Sequence, residues 1–263
     1  MKAMSIKDYF GLLPKGVKIT DLLPRKHILA LKVILLGFWQ KIGLHGGRGS
    51  LKSTLAFVAS ILYAMHGDGN VLVLCKNASR CRCAYELIKW LFGRIGFDEK
   101  SGWRVVNNPY IKLVYHNPNN DKGSEYAIHI VQMTNESLMR KFNQDKTVSV
   151  VIAEDVDDLD VSCNHVHHLI DHAANRRQAI LTYNKATLAQ NGLLGWFKKH
   201  CFGINEYHFT YKNVPLAWLG KGFYDEATMM RGWKKDVYEV EYLGEEPKKP
   251  AKVKATLRIG KIA

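Results

Sequence analysis

The sequence predicts an α/β fold in which a mostly parallel central sheet is flanked by helices, with antiparallel strands at its edge. Three observations predict it. Apolar strands alternate with stretches of helical periodicity across residues 39–92, the pattern that builds a parallel sheet. A glycine-rich turn joins the first strand of that series to the first helix. Further on, Val148-Ser149-Val150-Val151-Ile152-Ala153 is apolar almost throughout, as a strand buried on both faces must be, and it runs into carboxylates.

Along the chain, residues 1–27 are a mixed opening with turns at Pro14 and Pro24. Residues 39–45 alternate loosely as a strand and enter His45-Gly46-Gly47-Arg48-Gly49-Ser50. Leu51, Leu55, Val58, Ala59, Ile61, Leu62 and Met65 then recur at helical spacing. A short strand at 70–75 and a helix around 85–92 follow. Segments 110–115 and 126–133 alternate as strands across a polar turn, which predicts an antiparallel pair at a sheet edge. After the strand ending at Ala153 come a helix at 165–174, strands at 179–183 and 207–211, and a mostly helical 226–242. Residues 245–254 hold two prolines and four lysines and read as a linker. The expected organisation is an N-terminal extension (1–27), one large domain (28–245) and a linker or tail (246–263).

Composition narrows the class. At 263 residues and 47% hydrophobic, the chain can bury an extended core. Its 38 Lys and Arg against 24 Asp and Glu give a net charge of +14, which favours an anionic partner, nucleic acid first. The cysteines are five, an odd number without paired CxxC spacing, so neither a disulfide framework nor a structural zinc site is indicated. Reduced thiols in a cytosolic compartment fit this usage. The longest apolar stretch, 28–39, is interrupted by Lys32 and falls far short of a membrane span, and no secretory leader is evident.

The turn at 46–54 has the parts of a phosphate-binding loop. Such a loop needs backbone N–H groups directed inward, a helix N-terminus aimed at the anion, a lysine for the β/γ-phosphates and a hydroxyl for magnesium. Gly46, Gly47 and Gly49 supply the turn around Arg48 and Ser50, Lys52 the cation, and Ser53 the hydroxyl, with Thr54 beside it. The strict GxxxxGK[ST] pattern fails at one place, because Leu51 stands where its last glycine belongs. A β-carbon is expected to fit there if the residue already has helical dihedrals. The alternative is a basic glycine turn of no special function.

The matching half of such a site is a strand ending in carboxylates. Glu154 follows Ala153 and would bind magnesium; Asp155 comes next and would orient the attacking water. Asp157, Asp158 and Asp160 continue the charge, so a solvated acidic turn is the plainer reading. A chain this basic has few reasons to gather five carboxylates in seven residues, and magnesium with phosphate is one.

With these residues in hand, the chain resembles the ATPase domain of the large terminase subunit, the DNA-packaging motor of tailed bacteriophages and prophages. His45 through Ser53 resembles the GGRGSxKS form of the Walker A loop, which tolerates a non-glycine residue at the place of Leu51. The strand ending in Glu154 and Asp155 resembles Walker B, and Thr182-Tyr183-Asn184 resembles the coupling motif whose asparagine senses the γ-phosphate. Lys185 replaces the usual proline. Cys75 stands where an arginine is usual, so that role would fall to Arg80 or Arg82. Segments around Trp196-Phe197-Lys198-Lys199, 209–213 and 238–245 resemble the closing elements of the domain.

The resemblance implies ATP and Mg2+ as cofactors and ATP hydrolysis as the reaction. It implies double-stranded DNA, a small terminase subunit and a portal protein as partners, with a homo-oligomeric ring when docked. The place of action would be the bacterial host cytoplasm, transiently at the prohead, without a membrane. The family's nuclease domain lies beyond the span covered here, so no nuclease activity is expected. The other readings are a P-loop ATPase of another nucleic-acid process, or a non-catalytic DNA-binding module with a decayed nucleotide site.

Other residues admit two readings each. Arg48 acts in cis on the γ-phosphate or forms a salt bridge with the acidic residues near Glu154. His165, His168 and His172 share a helical face without a fourth ligand for zinc, so packing or solvation is the expected role. Arg176 and Arg177 are candidates for phosphate or DNA contact. Trp196, Trp218 and Trp233 read as core or interface residues, and the Lys198-Lys199 and Lys234-Lys235 pairs as DNA contacts or ordinary surface.

Overall fold

The computed structural model describes residues 5–116, 125–156, 164–184 and 204–245. The strands are β1 (Lys41–Gly46), β2 (Asn70–Cys75), β3 (Trp103–Val106), β4 (Ile111–His116), β5 (Glu125–Gln132), β6 (Val148–Ala153), β7 (Gln178–Tyr183) and β8 (Ile204–Phe209). All but β3 overlap the segments read from the sequence, and β8 begins three residues ahead of its expected 207–211. They hydrogen-bond into one eight-stranded sheet, ordered β3-β4-β5-β2-β6-β7-β1-β8. β5, β2, β6, β7, β1 and β8 run parallel to one another, while β4 and β3 add antiparallel at one end. This is the α/β class the sequence predicts.

The 110–133 region differs in one respect. β4 and β5 are antiparallel as expected, but β5 is interior, because it also pairs in parallel with β2. The edge belongs to β3, four residues whose only fully buried side chain is Trp103. So short a segment carries too little alternation to announce a strand.

Helices cover both faces. α1 (Ile6–Phe10), α2 (Arg25–Leu36), α3 (Lys52–His66) and α4 (Ala78–Ile95) close one face, and α5 (Glu136–Gln144) with α6 (Asn164–Arg176) closes the other. α3 is buried from Thr54 to Met65, which is why its sequence is apolar around nearly its whole circumference. Tyr9, Leu22 and Leu23 enter the same core, so the opening segment packs against the sheet's helices. The C-terminal stretch forms α7 (Leu216–Leu219), α8 (Lys221–Trp233), α9 (Lys235–Tyr238) and a wide π turn (Glu239–Leu243), with its own small core of Tyr211, Ala227, Tyr238 and Tyr242.

Arg176 and Arg177 are structural, which corrects the phosphate or DNA reading. Arg176 donates to the carbonyls of Asp145 and Val148 at 2.6 and 2.8 Å. Arg177 pairs with the buried Asp68 at 3.2 Å and lies over the Tyr63 ring. Both arginines therefore satisfy backbone and carboxylate groups that would otherwise be buried unpaired. Trp218 and Trp233 are exposed rather than core residues, and Trp196, Lys198 and Lys199 lie outside the described residues. No described helix is long and apolar enough to cross a membrane.

Candidate nucleotide site

The candidate residues gather at the carboxyl ends of the parallel strands, where open α/β sheets place their ligands. β1 ends at Gly46, and the turn through Ser50 leads into α3, whose first residue is Lys52. No side chain caps that helix, so its first N–H groups stay available to an anion. Gly49 has a left-handed φ of 68° and meets the Phe223 ring. A Cβ on Gly47 would run into the backbone of Glu241 and Tyr242, so the C-terminal π turn rests directly on this part of the loop.

Leu51 departs from expectation. It is tolerated in the sequence argument by helical dihedrals, yet its φ and ψ are 56° and 22°, left-handed. The chain must pass through that region to aim α3 back at the end of β1, which is why the general pattern asks for glycine. The β-carbon costs about 1–2 kcal/mol there.

Sequence-distant residues meet around the start of α3. Ser53 Oγ donates a very short hydrogen bond to Glu154 Oε1, and Thr182 Oγ1 donates to Glu154 Oε2 at 2.7 Å. The same Thr182 oxygen accepts from the Asp155 N–H at 2.9 Å. Lys52 Nζ stands 3.9 Å from one Asp155 oxygen and Arg80 Nη1 stands 3.2 Å from the other. Burial, then the neighbouring charge of Asp155, push the Glu154 carboxyl above its usual range, against the lowering pull of Ser53, Thr182 and Lys52. A cavity of about 230 Å³ opens here, with Lys52, Ser53, Arg80, Glu154 and Asp155 among its walls.

Three residues stand apart from that cluster. Arg48 forms a salt bridge, but with Glu226 of α8 at 2.9 Å rather than with the carboxylates near Glu154. It also contacts the Tyr242 hydroxyl at 3.2 Å and lies over that ring. Asn184 Nδ2 donates to the Val240 carbonyl at 3.1 Å, so the end of β7 also touches the π turn. Cys75 is buried with its thiol against Cys81, and that contact, then burial, raise its pKa. Of the two arginines named as its replacement, Arg80 reaches the site, while Arg82 lines a separate cavity with Tyr110 and Gln132.

Sequence reasoning named Thr182 only within the coupling-motif resemblance and missed its bonds to the Glu154 carboxylate and the Asp155 N–H. Its local signal is a hydroxyl that follows the apolar run Ala179-Ile180-Leu181, where an unpaired one would be costly. Asp157, Asp158, Asp160 and the side chain of His165 lie outside the described residues. Among the described residues no group of three or more His, Cys, Asp or Glu forms a metal cage. Magnesium does not require one, since it takes one or two protein oxygens together with phosphates. The Ser53 hydroxyl and Glu154 carboxylate are hard oxygen donors already in contact, and they fit that demand.

The sheet order and the glycine turn from β1 into α3 define an α/β architecture of the P-loop type. Solved structures share that fold. The large terminase of a thermophilic bacteriophage superposes with a TM-score of 0.61 at 16% identity, covering 84% of this chain and 53% of that one. The large terminase ATPase domain of Thermus phage P74-26, in a mutant form, gives 0.61 at 11% identity, covering 89% and 99%. The HK97 bacteriophage large terminase gives 0.59 at 9% identity, covering 92% and 56%. The chain thus spans about half the length of the whole terminases and nearly all of the separate ATPase domain. Two further structures of the thermophilic phage protein are complexes with ADP and with ATP-gamma-S. No protein-family model and no curated protein sequence matches the chain.

Proposed function

We propose that this chain is an ATPase domain that binds magnesium-ATP at the turn after β1 and uses hydrolysis to move double-stranded DNA. The observation that carries the reading is the convergence of Lys52, Ser53, Glu154 and Asp155 on one cleft at the start of α3. These residues come from the head of α3 and from just past the end of β6, with Ser53 and Glu154 101 positions apart in the chain. Their types match the two halves of a phosphate site. The fold shared with terminase ATPase domains supports the same reading.

On this reading the N–H groups at the head of α3 receive the phosphates and Lys52 turns to the β/γ-oxygens. Ser53 and Glu154 would hold the magnesium, which would supply positive charge beside the phosphates. Asp155 orients the attacking water and takes its proton on a carboxylate oxygen. Arg48 acts on the γ-phosphate after leaving Glu226, and Asn184 senses that phosphate. Residues 28–245 form the ATPase domain, with 1–27 an extension and 246–263 a linker or tail. The net charge of +14 suits a DNA partner. A small terminase subunit, a portal and neighbouring copies in a ring complete the proposed assembly, in the host cytoplasm and at the prohead.

Lys52→Ala is the test. The variant is expected to stay folded and to lose both ATP binding and hydrolysis; normal ATP affinity would remove the central support. Double-stranded DNA is expected to stimulate the parent enzyme. Hydrolysis indifferent to DNA would favour a P-loop ATPase of another process.

A further inference from the structure

We infer that Arg80 is the positioning residue for Asp155, holding its carboxylate in the cleft while nucleotide is bound; the inference rests on the ATPase reading above. The backbone of Asp155 is already fixed. Its φ is 50°, in the left-handed region, and its N–H is bound to Thr182 Oγ1 at 2.9 Å. That leaves rotation of the side chain, which decides whether an oxygen faces the attacking water. Two cations address the carboxylate, Arg80 on Oδ2 at 3.2 Å and Lys52 on Oδ1 at 3.9 Å.

Lys52 cannot keep that contact and also serve a triphosphate, because a lysine at the head of the helix is drawn to the β/γ-oxygens. Arg80 is under no such demand. It sits in the first turn of α4, where its own N–H is capped by Asn77 Oδ1 at 2.9 Å, so the base of its side chain is anchored. Binding of nucleotide therefore transfers the orientation of Asp155 from two cations to one. The planar guanidinium suits this better than an ammonium, since it restrains direction as well as distance.

The role separates from the alternative by what it leaves alone. A residue acting through Asp155 affects the rate of the chemical step, whereas a phosphate ligand affects nucleotide affinity as well. The experiment uses the full chain as parent, Arg80→Ala, Arg80→Lys, Arg82→Ala and Lys52→Ala. Affinity for a non-hydrolysable ATP analogue with magnesium and the single-turnover hydrolysis rate are measured for each. For Arg80→Ala the analogue is expected to bind within about threefold of parent, while the rate falls roughly tenfold to a hundredfold, as misplacement by about 1 Å would give. Arg80→Lys should recover part of the rate, and Arg82→Ala should match parent. Arg80 is half exposed, so Arg80→Ala is expected to melt with the parent. Weakened affinity in proportion to the lost rate would overturn the inference, as would an unchanged rate in Arg80→Ala while Lys52→Ala is inactive. A Lys52→Ala protein that binds and hydrolyses normally would overturn the ATPase reading itself.

Discussion

Thr182→Val removes one oxygen and almost no volume, so its consequence can be worked from the two bonds that oxygen makes. Thr182 is fully buried in β7, and valine fills the same space with a methyl in place of the hydroxyl. One bond lost is the donation to Glu154 Oε2 at 2.7 Å, a bond to a group that is charged when ionised and contributes about 1.5–3 kcal/mol. The other is acceptance from the Asp155 N–H at 2.9 Å, which contributes about 1 kcal/mol. Glu154 softens the loss, because burial and then Asp155 already raise its pKa, and it can take up a proton once the donor is gone. The expected destabilisation at pH 7 is about 2–3 kcal/mol. Thr182→Ser keeps the hydroxyl and loses one methyl group, for about 1 kcal/mol. Urea unfolding at pH 7 compares the two, and magnesium-dependent nucleotide affinity should fall in the valine variant alone. A valine variant as stable as the serine variant would refute the reasoning, since the two bonds of the Thr182 oxygen would then contribute no more than the methyl group that serine loses.

Two further outcomes test other parts of the structure. At position 51 the usual order of glycine and alanine should invert: Leu51→Gly should be more stable than Leu51→Ala by about 1 kcal/mol in denaturant unfolding, because both lose the side chain and only alanine keeps the left-handed penalty. Alanine ahead would show that the turn is not held at positive φ. Burial holds His27 and His129 near a pKa of about 4, below the ordinary value of about 6.5. Their contribution is therefore present above pH 6.5 and is lost as the pH falls, by about 2 kcal/mol each between pH 7 and 5. Glu154, raised, works in the opposite direction. The histidine share is read as the part of the pH 7 to pH 5 loss that disappears in His129→Gln, and no difference between the variant and the parent would refute it.

What the sequence discloses follows from how local each cause is. β2 and β6 are legible because an interior parallel strand must be apolar along its length, a demand that six consecutive residues can display. The head of α3 is legible because glycines, a lysine and a serine sit side by side. α5 escapes because only Met139 and Phe142 of its nine residues are buried, too sparse a stripe beside its polar neighbours. The partner of Arg48 escapes for a different reason. Glu226 lies 178 positions away, and its choice over the carboxylates near Glu154 depends on where α8 and the π turn settle against Gly47 and Gly49. No spacing within the chain encodes that.

Leu51 joins the two kinds of information. By pattern alone its presence counts against a phosphate loop, because the glycine consensus is a record of backbone geometry. That geometry is nonetheless present, with φ at 56°, so the turn is made despite the side chain and not because of it. Something must hold it there against about 1–2 kcal/mol. The restraint lies on both sides of the residue. Ser50 is buried, with its carbonyl accepting from His27 Nε2 at 2.7 Å, and from Thr54 to Met65 the following helix is buried without a break. Two well-packed segments that meet at a fixed angle leave the joining residue one conformation, whatever its side chain. The consensus glycine is thus one way to make the turn, and burial on either side of it is another.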